Sequence, residues 1–193
     1  MKKIIITILA LSITSNCLSS MIHEYAADGN IERIKKELKH INLKDADGFT
    51  PLHHIFLTGR PDKKTVEFLL KNGADPNIPN NQKDSILSTA ILFKSSPEII
   101  KLLLKYKANP NLNNSLKDIF SIYEEYDKQD AIEIIKLLIE NGAIVDKNIL
   151  KSAKKKGGIK LKRNMQNWAS AAKHKYKSED ITTRVKYLLE LET

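Results

Sequence analysis

A six-residue turn occurs three times in this chain, and its spacing constrains the fold more than any other feature. Asn72-Gly73-Ala74-Asp75-Pro76-Asn77 returns as Tyr106-Lys107-Ala108-Asn109-Pro110-Asn111, 34 residues on, and as Asn141-Gly142-Ala143-Ile144-Val145-Asp146, 35 further. The best-formed unit runs from Asp47 to Asn77. Leu52, Ile55 and Phe56 fall at i, i+3, i+4, and so do Val66, Leu69 and Leu70, which predicts two short helices with a break over 58–62. Thr50 before Pro51 reads as an N-cap followed by the first helical position. Asp47-Gly48 and Asn72-Gly73 supply turns in which glycine takes a positive φ without steric cost. Neither helix is long enough to be stable alone in water, so each apolar face needs a neighbour. Stacked copies of the same unit provide it.

Thr50-Pro51-Leu52-His53 and Gly73-Ala74-Asp75-Pro76-Asn77, at a period in the low thirties, resemble the consensus of the ankyrin-repeat family. The resemblance implies an all-α solenoid of stacked helix-turn-helix units joined by short hairpin-like turns. About four to five units are expected over 21–157, starting near 22, 48, 83, 118 and 147. The family's leading leucine is placed at Ile22, Leu52, Leu87, Ile122 and Leu150, and the fourth first helix around Ile119, Phe120, Ile122 and Tyr123. Asp130 with Glu133 is read as the capping box of the fourth second helix. Beyond 157 the chain leaves the frame. Residues 158–193 are read as a basic extension ending in a capping helix around Arg184 to Leu189. With 41% hydrophobic but only 6% aromatic residues, the core must be built from leucine and isoleucine.

Residues 1–20 are set apart from the fold. Lys2-Lys3 forms a basic start, Ile4 to Ile13 an apolar run and Ser12 to Ser20 a small, polar stretch. The apolar run is too short to cross about 30 Å of hydrocarbon, so a bacterial-type signal peptide is expected rather than a membrane anchor. The protein would then be exported, to the periplasm or beyond. Two alternatives stay open. Translation from Met21 would make the chain cytoplasmic, and a lipoprotein leader would lipidate Cys17, which the preceding Asn16 fits poorly. Cys17 is the one cysteine, which excludes an intrachain disulfide and a cysteine-based zinc site.

Catalytic chemistry finds no footing. His53 and His54 are adjacent, whereas metal-binding pairs on a helix are three or four residues apart and share a face. In the ankyrin family the histidine after the leucine bonds turn backbone of an adjacent repeat, which is the role expected of His53. Glu124, Glu125 and Asp127 lie close together without a nearby nucleophile, and read as a solvated helix end. Gly157-Gly158 lacks the strand-to-helix context of a phosphate loop, and no nucleophile elbow occurs. The expectation is a protein that is not an enzyme and uses no cofactor and no metal.

Charge is unevenly placed. Residues 1–146 hold 19 Lys or Arg and 19 Asp or Glu, whereas 147–193 hold 13 and 4, so the whole net charge of +9 arises in the last quarter. Lys154, Lys155, Lys156, Lys160, Lys162, Arg163, Lys173, Lys175 and Lys177 form an electrostatic patch interleaved with Trp168 and Tyr176. Such a segment suits a solvated polar cap, an acidic protein, an anionic membrane or nucleic acid.

The resemblance implies a non-catalytic protein-binding module, monomeric, whose partner is an unidentified protein of a host or the cell envelope. In this family, turn tips and the inner face of the first helices touch the target. Mapped here, the tips are Lys44, Ala46, Asp47 and Phe49, then Pro79, Asn81, Gln82 and Asp84. The helical positions are His54, Leu57, Thr58, Leu92 and Phe93. Phe49 and Phe93 are the expected hot spots, because exposed aromatics dominate many interfaces. The rival reading is an electrostatic tether that binds membrane or nucleic acid through its lysines. Either way the repeats stand or fall together. Leu69→Asp is expected to unfold the array, and a native circular dichroism spectrum for that variant would count against stacked helices.

Overall fold

The computed structural model describes residues 21–59 and 61–175. The leader, Cys17, Lys177 and the closing helix expected at 184–189 lie outside the described residues, as do the side chains of Lys173 and Lys175. Nine helices follow in order among the described residues: α1 (21–27), α2 (Ile31–Ile34), α3 (Pro51–Leu57), α4 (Lys63–Lys71), α5 (Ile86–Leu92), α6 (Pro97–Lys105), α7 (Ser115–Ser121), α8 (Lys128–Glu140) and α9 (Lys147–Lys175). Short 3₁₀ turns follow α2, at Lys35–His40, and α7, at Tyr123–Glu125. No strand occurs among the described residues. The chain divides into two compact units, 1–86 and 87–193.

In the first unit, α3 and α4 bury the residues that the periodicity selects: Leu52, Ile55 and Phe56 on one, Val66, Leu69 and Leu70 on the other. Each fully buried aliphatic or phenyl side chain contributes roughly 1.5 to 3 kcal/mol. Thr50 caps α3 with Pro51 in the first turn, and Asp62 caps α4 by accepting the N–H groups of Lys64 and Thr65. At the far end Gly73, with φ 95°, closes α4.

In the second unit, α6, α7 and α9 all pack on α8. Two sequence expectations are corrected here. The turn that precedes α7 is short: Ser115 N–H reaches back to Pro110 O, and Asn113 and Asn114 both take left-handed backbone so that the helix starts at once. From Asn42 to Pro51 and from Asn77 to Ile86 the chain spends nine residues, but from Asn111 to Ser115 only four. Leu116, not Ile122, therefore occupies the leading buried position of the fourth repeat. The N-cap of α8 is Asp127, whose carboxylate accepts from Gln129 and Asp130, so Asp130 already lies within the first turn. The segment read as a basic extension beyond 157 is helical as far as Lys175: α9 breaks at Gly158 (φ 73°) and resumes. Leu161, Met165 and Ala169, at i, i+4 and i+8, bury its inner face.

Glycine conformations recur without glycine. Gly48, Gly59 and Gly73 of the second repeat have φ of 82°, 70° and 95°. Their counterparts 34 or 35 residues later are Lys83, Lys94 and Lys107, with φ of 69°, 56° and 68°. A Cβ in left-handed backbone costs about 1–2 kcal/mol, of which glycine returns a part through its freer unfolded chain. Lys83→Gly and Lys107→Gly are each expected to stabilise the protein by about 1 kcal/mol, raising the urea midpoint at unchanged slope. A lower midpoint for both would show that these backbones carry no strain.

Candidate functional site

The candidate surface in the first unit begins with a turn wired by side chains. Asp45 Oδ1 accepts the N–H groups of Asp47 (3.0 Å) and Phe49 (2.8 Å), and its Oδ2 lies 2.7 Å from His54 Nε2. Burial alone would raise the Asp45 pKa. The bond to His54 and the two amides outweigh it and hold the carboxyl below its ordinary value. From the preceding repeat, His23 Nε2 sits 3.0 Å from both the Leu43 and Phe49 carbonyls and donates across the mouth of the turn. The family role expected of a histidine after the leading apolar residue is thus filled by His23.

His53 faces the equivalent backbone one turn on, at Asp84, and has a second task besides. Its Nδ1 accepts the Thr50 N–H at 3.2 Å and lies 2.9 Å from the Thr50 hydroxyl, so it takes the place of the glutamate in a capping box. The proton of the neutral ring therefore belongs on Nε2. That atom makes no hydrogen bond of good geometry, although the Asp84 backbone lies near enough to favour the charged ring slightly.

The next turn copies the pattern with different residues. Asn80 replaces Asp45 and its Oδ1 accepts Asp84 N–H at 2.8 Å, while Lys83 stands where Gly48 stood. Asn81 joins the two tips, its N–H donating to Asp47 O and its Nδ2 to Ala46 O. Gly48 is required there, since a Cβ would run into Asn81. At the base of the turns, Asn42 Nδ2 donates to Gly73 O at 2.9 Å and its Oδ1 accepts Asp75 N–H at 2.8 Å. In the second unit Asn111 repeats this bidentate clamp on Gly142 O and Ile144 N–H. These asparagines were missed as functional scaffolding. The signal was present, as Asn42, Asn77 and Asn111 recur at 35 and 34 residues.

The expected contact residues separate under this geometry. Lys44, Ala46, Asp47, Pro79, Asn81 and Gln82 are exposed at the tips, though the backbone of Ala46 and Asp47 and the side chain of Asn81 are already engaged. Asp84 is half-buried and its carboxylate meets Asn80 Nδ2 at 3.2 Å. Phe49 is not an exposed aromatic. It is half-buried, its ring 5.7 Å from that of His53 and 6.2 Å from that of His54. His54 is half-buried too, edge-on to His23 at 4.8 Å and paired with Asp45, so its role is to hold the turn. Leu57 is half-buried and Thr58 exposed, its hydroxyl turned to Ile55 O. In the second unit Leu92 and Phe93 are exposed at 43% and 41%, large apolar side chains beside each other at the end of α5.

Glu124 and Glu125 each face a lysine, Lys156 at 3.7 Å and Lys94 at 2.8 Å, and Asp127 caps α8. Nearby Tyr126 is buried, and its hydroxyl lies 3.0 and 3.1 Å from the carbonyls of Ile91 and Ser95, closing the end of α5. Burial pushes its pKa up. Among the described residues no group of three or more His, Cys, Asp or Glu is arranged to hold a metal ion, and no helix is long and apolar enough to cross a membrane.

Comparison with known proteins bears on the repeat itself. The family described as ankyrin repeats (3 copies) matches residues 22–114. Residues 22–114 are ankyrin repeats. The human DNA-binding protein RFXANK is 40% identical over 85 residues, 42% of this chain and 31% of that protein. Bovine ankyrin repeat family A protein 2 is 40% identical over 80 residues, 39% of this chain and 24% of that protein. The chain thus matches about a third or less of the length of these relatives. Ankyrin repeats are protein–protein interaction modules, and the family is generally non-catalytic.

The capping histidine makes the repeats acid-sensitive. Burial, then the nearby His54 and Lys44, lower the His53 pKa from 6.5 to about 4. Between those values the unfolded chain binds a proton that the folded chain refuses. The stability tied to the neutral ring is therefore complete above pH 6.5 and is lost as pH falls towards 4, by about 3 kcal/mol in all. Compared with His53→Gln, whose amide oxygen can accept the Thr50 N–H, the wild type should lose about that much more stability between neutral pH and the lower value. A pH-independent difference in unfolding free energy would overturn this reading.

Proposed function

We propose that the chain is an exported, non-catalytic adaptor that holds a partner protein against its ankyrin repeats. The observation that carries it is the pair Leu92 and Phe93, two large apolar side chains left in water at the end of α5 while the helix's other apolar residues are buried. Adjacent exposed apolar side chains offer a partner area to bury, and aromatics are frequent anchors of such contacts. In the first unit the tips offer a different surface, polar and ordered: Lys44, Ala46, Asp47, Pro79, Asn81 and Gln82, held in register by Asn81. Export rests on the sequence of residues 1–20 alone. The partner would be a protein of the envelope or of a host, and the module acts as a monomer.

An electrostatic tether is the second reading. What favours it is that α9 carries ten Lys or Arg and neither Asp nor Glu. An anionic membrane would suit such a helix. So would nucleic acid, and the human and mouse relatives are named DNA-binding proteins.

The two readings part on salt and on two side chains. For a partner recovered with the purified full chain, Leu92→Ala with Phe93→Ala is expected to weaken binding by about 2 kcal/mol or more, with little change on raising salt. Unchanged affinity in that double variant, together with binding that collapses as salt rises, would reject the adaptor and favour the tether.

A further inference from the structure

The break at Gly158 brings the two halves of α9 to a common groove. Lys147, Lys151 and Lys154 stand at i, i+4 and i+7 on the first half, along one helix face. Lys162 and Gln166, at i and i+4, line the groove from the second half, and the buried Leu150 contributes its apolar side chain. The groove is open on one side and offers about 280 Å³. Among the described residues none of these four lysines has a carboxylate within ion-pair distance, whereas the neighbouring Lys156 reaches Glu124 at 3.7 Å. From 147 to 175 the sequence supplies no acidic side chain to neutralise them.

Four ammonium groups around one small groove repel each other, and a compact ligand of several negative charges removes that repulsion. The volume lies at the low end for ligand sites, which favours a small group over an extended one. No aromatic side chain lines the groove, so it lacks a platform for stacking a base. Lysine binds phosphate as a point charge from any direction, and the Gln166 amide adds a neutral donor. We propose that this groove is a binding site for an oligophosphate, two or three linked phosphate groups, held by Lys147, Lys151, Lys154 and Lys162. This narrows the tether reading from a diffuse basic face to one site, and the two fail separately.

The test titrates inorganic tripolyphosphate into the full chain by calorimetry at near-physiological ionic strength. Two double variants of equal charge are compared. Lys151→Gln with Lys162→Gln alters the groove, and Lys155→Gln with Lys160→Gln removes the same charge from exposed positions outside it. The wild type should bind one equivalent, the groove variant should bind at least about tenfold more weakly, and the outside variant should keep its affinity. Equal losses in both variants would replace the site with delocalised charge. Failure to bind tripolyphosphate, while a single-stranded oligonucleotide or vesicles of a singly charged anionic lipid still bind, would overturn the site and leave the tether. If tripolyphosphate binds, its displacement by vesicles bearing a multiply phosphorylated headgroup identifies a lipid as the source. No displacement identifies a free oligophosphate.

Discussion

Turn backbone is the vulnerable part of a protein built from short helices, and side chains from neighbouring repeats satisfy it. An amide or carbonyl left without a partner costs about 1–3 kcal/mol where water is excluded and less where, as at the base of the first turn, water can reach it. Asn42 meets a carbonyl and an amide of the following turn with a single side chain, and Asn111 does the same one unit later. His23 crosses to two carbonyls at once. Apolar stacking drives the helices together, but these polar bridges fix which turn lies beside which.

That division explains how one position tolerates different residues. Asp45 and Asn80 do the same work because either side-chain oxygen can accept the amide four residues on. His53 can cap α3 because a neutral imidazole nitrogen accepts as a carboxylate would. The substitution has a physical consequence, since an imidazole changes charge in a range where glutamate does not. Lys83 can replace Gly48 only with strain, because no side chain makes left-handed backbone free of cost.

Much of this was legible beforehand, for identifiable reasons. The helices α3 and α4 announce themselves through periodicity, α3 also through its cap, and Leu69 is fully buried as its spacing requires. Structure departs from the sequence pattern where the turn length changes. A full-length turn carried forward from Leu87 lands on Ile122, whereas two left-handed asparagines shorten the path and bring Leu116 inside. Asp127 was overlooked as a cap because the apolar pattern starts four residues later, at Ala131. Phe49 is less exposed than its place at a tip suggests, because two histidine rings lie beside it. Which lysines of the basic segment share a groove depends on the break at Gly158, and composition contains no trace of that.

The shortened path before α7 also decides what the protein can offer to others. Both projecting hairpins, 44–49 and 79–84, belong to the first unit, and where a third would stand the chain passes from Asn111 to Ser115 without leaving the body of the repeat. Among the described residues, the projecting loops thus cluster in one stretch, before residue 87. Among the described residues of the second unit, what stands out to solvent is instead a helix end, at Leu92 and Phe93, and the lysines of α9.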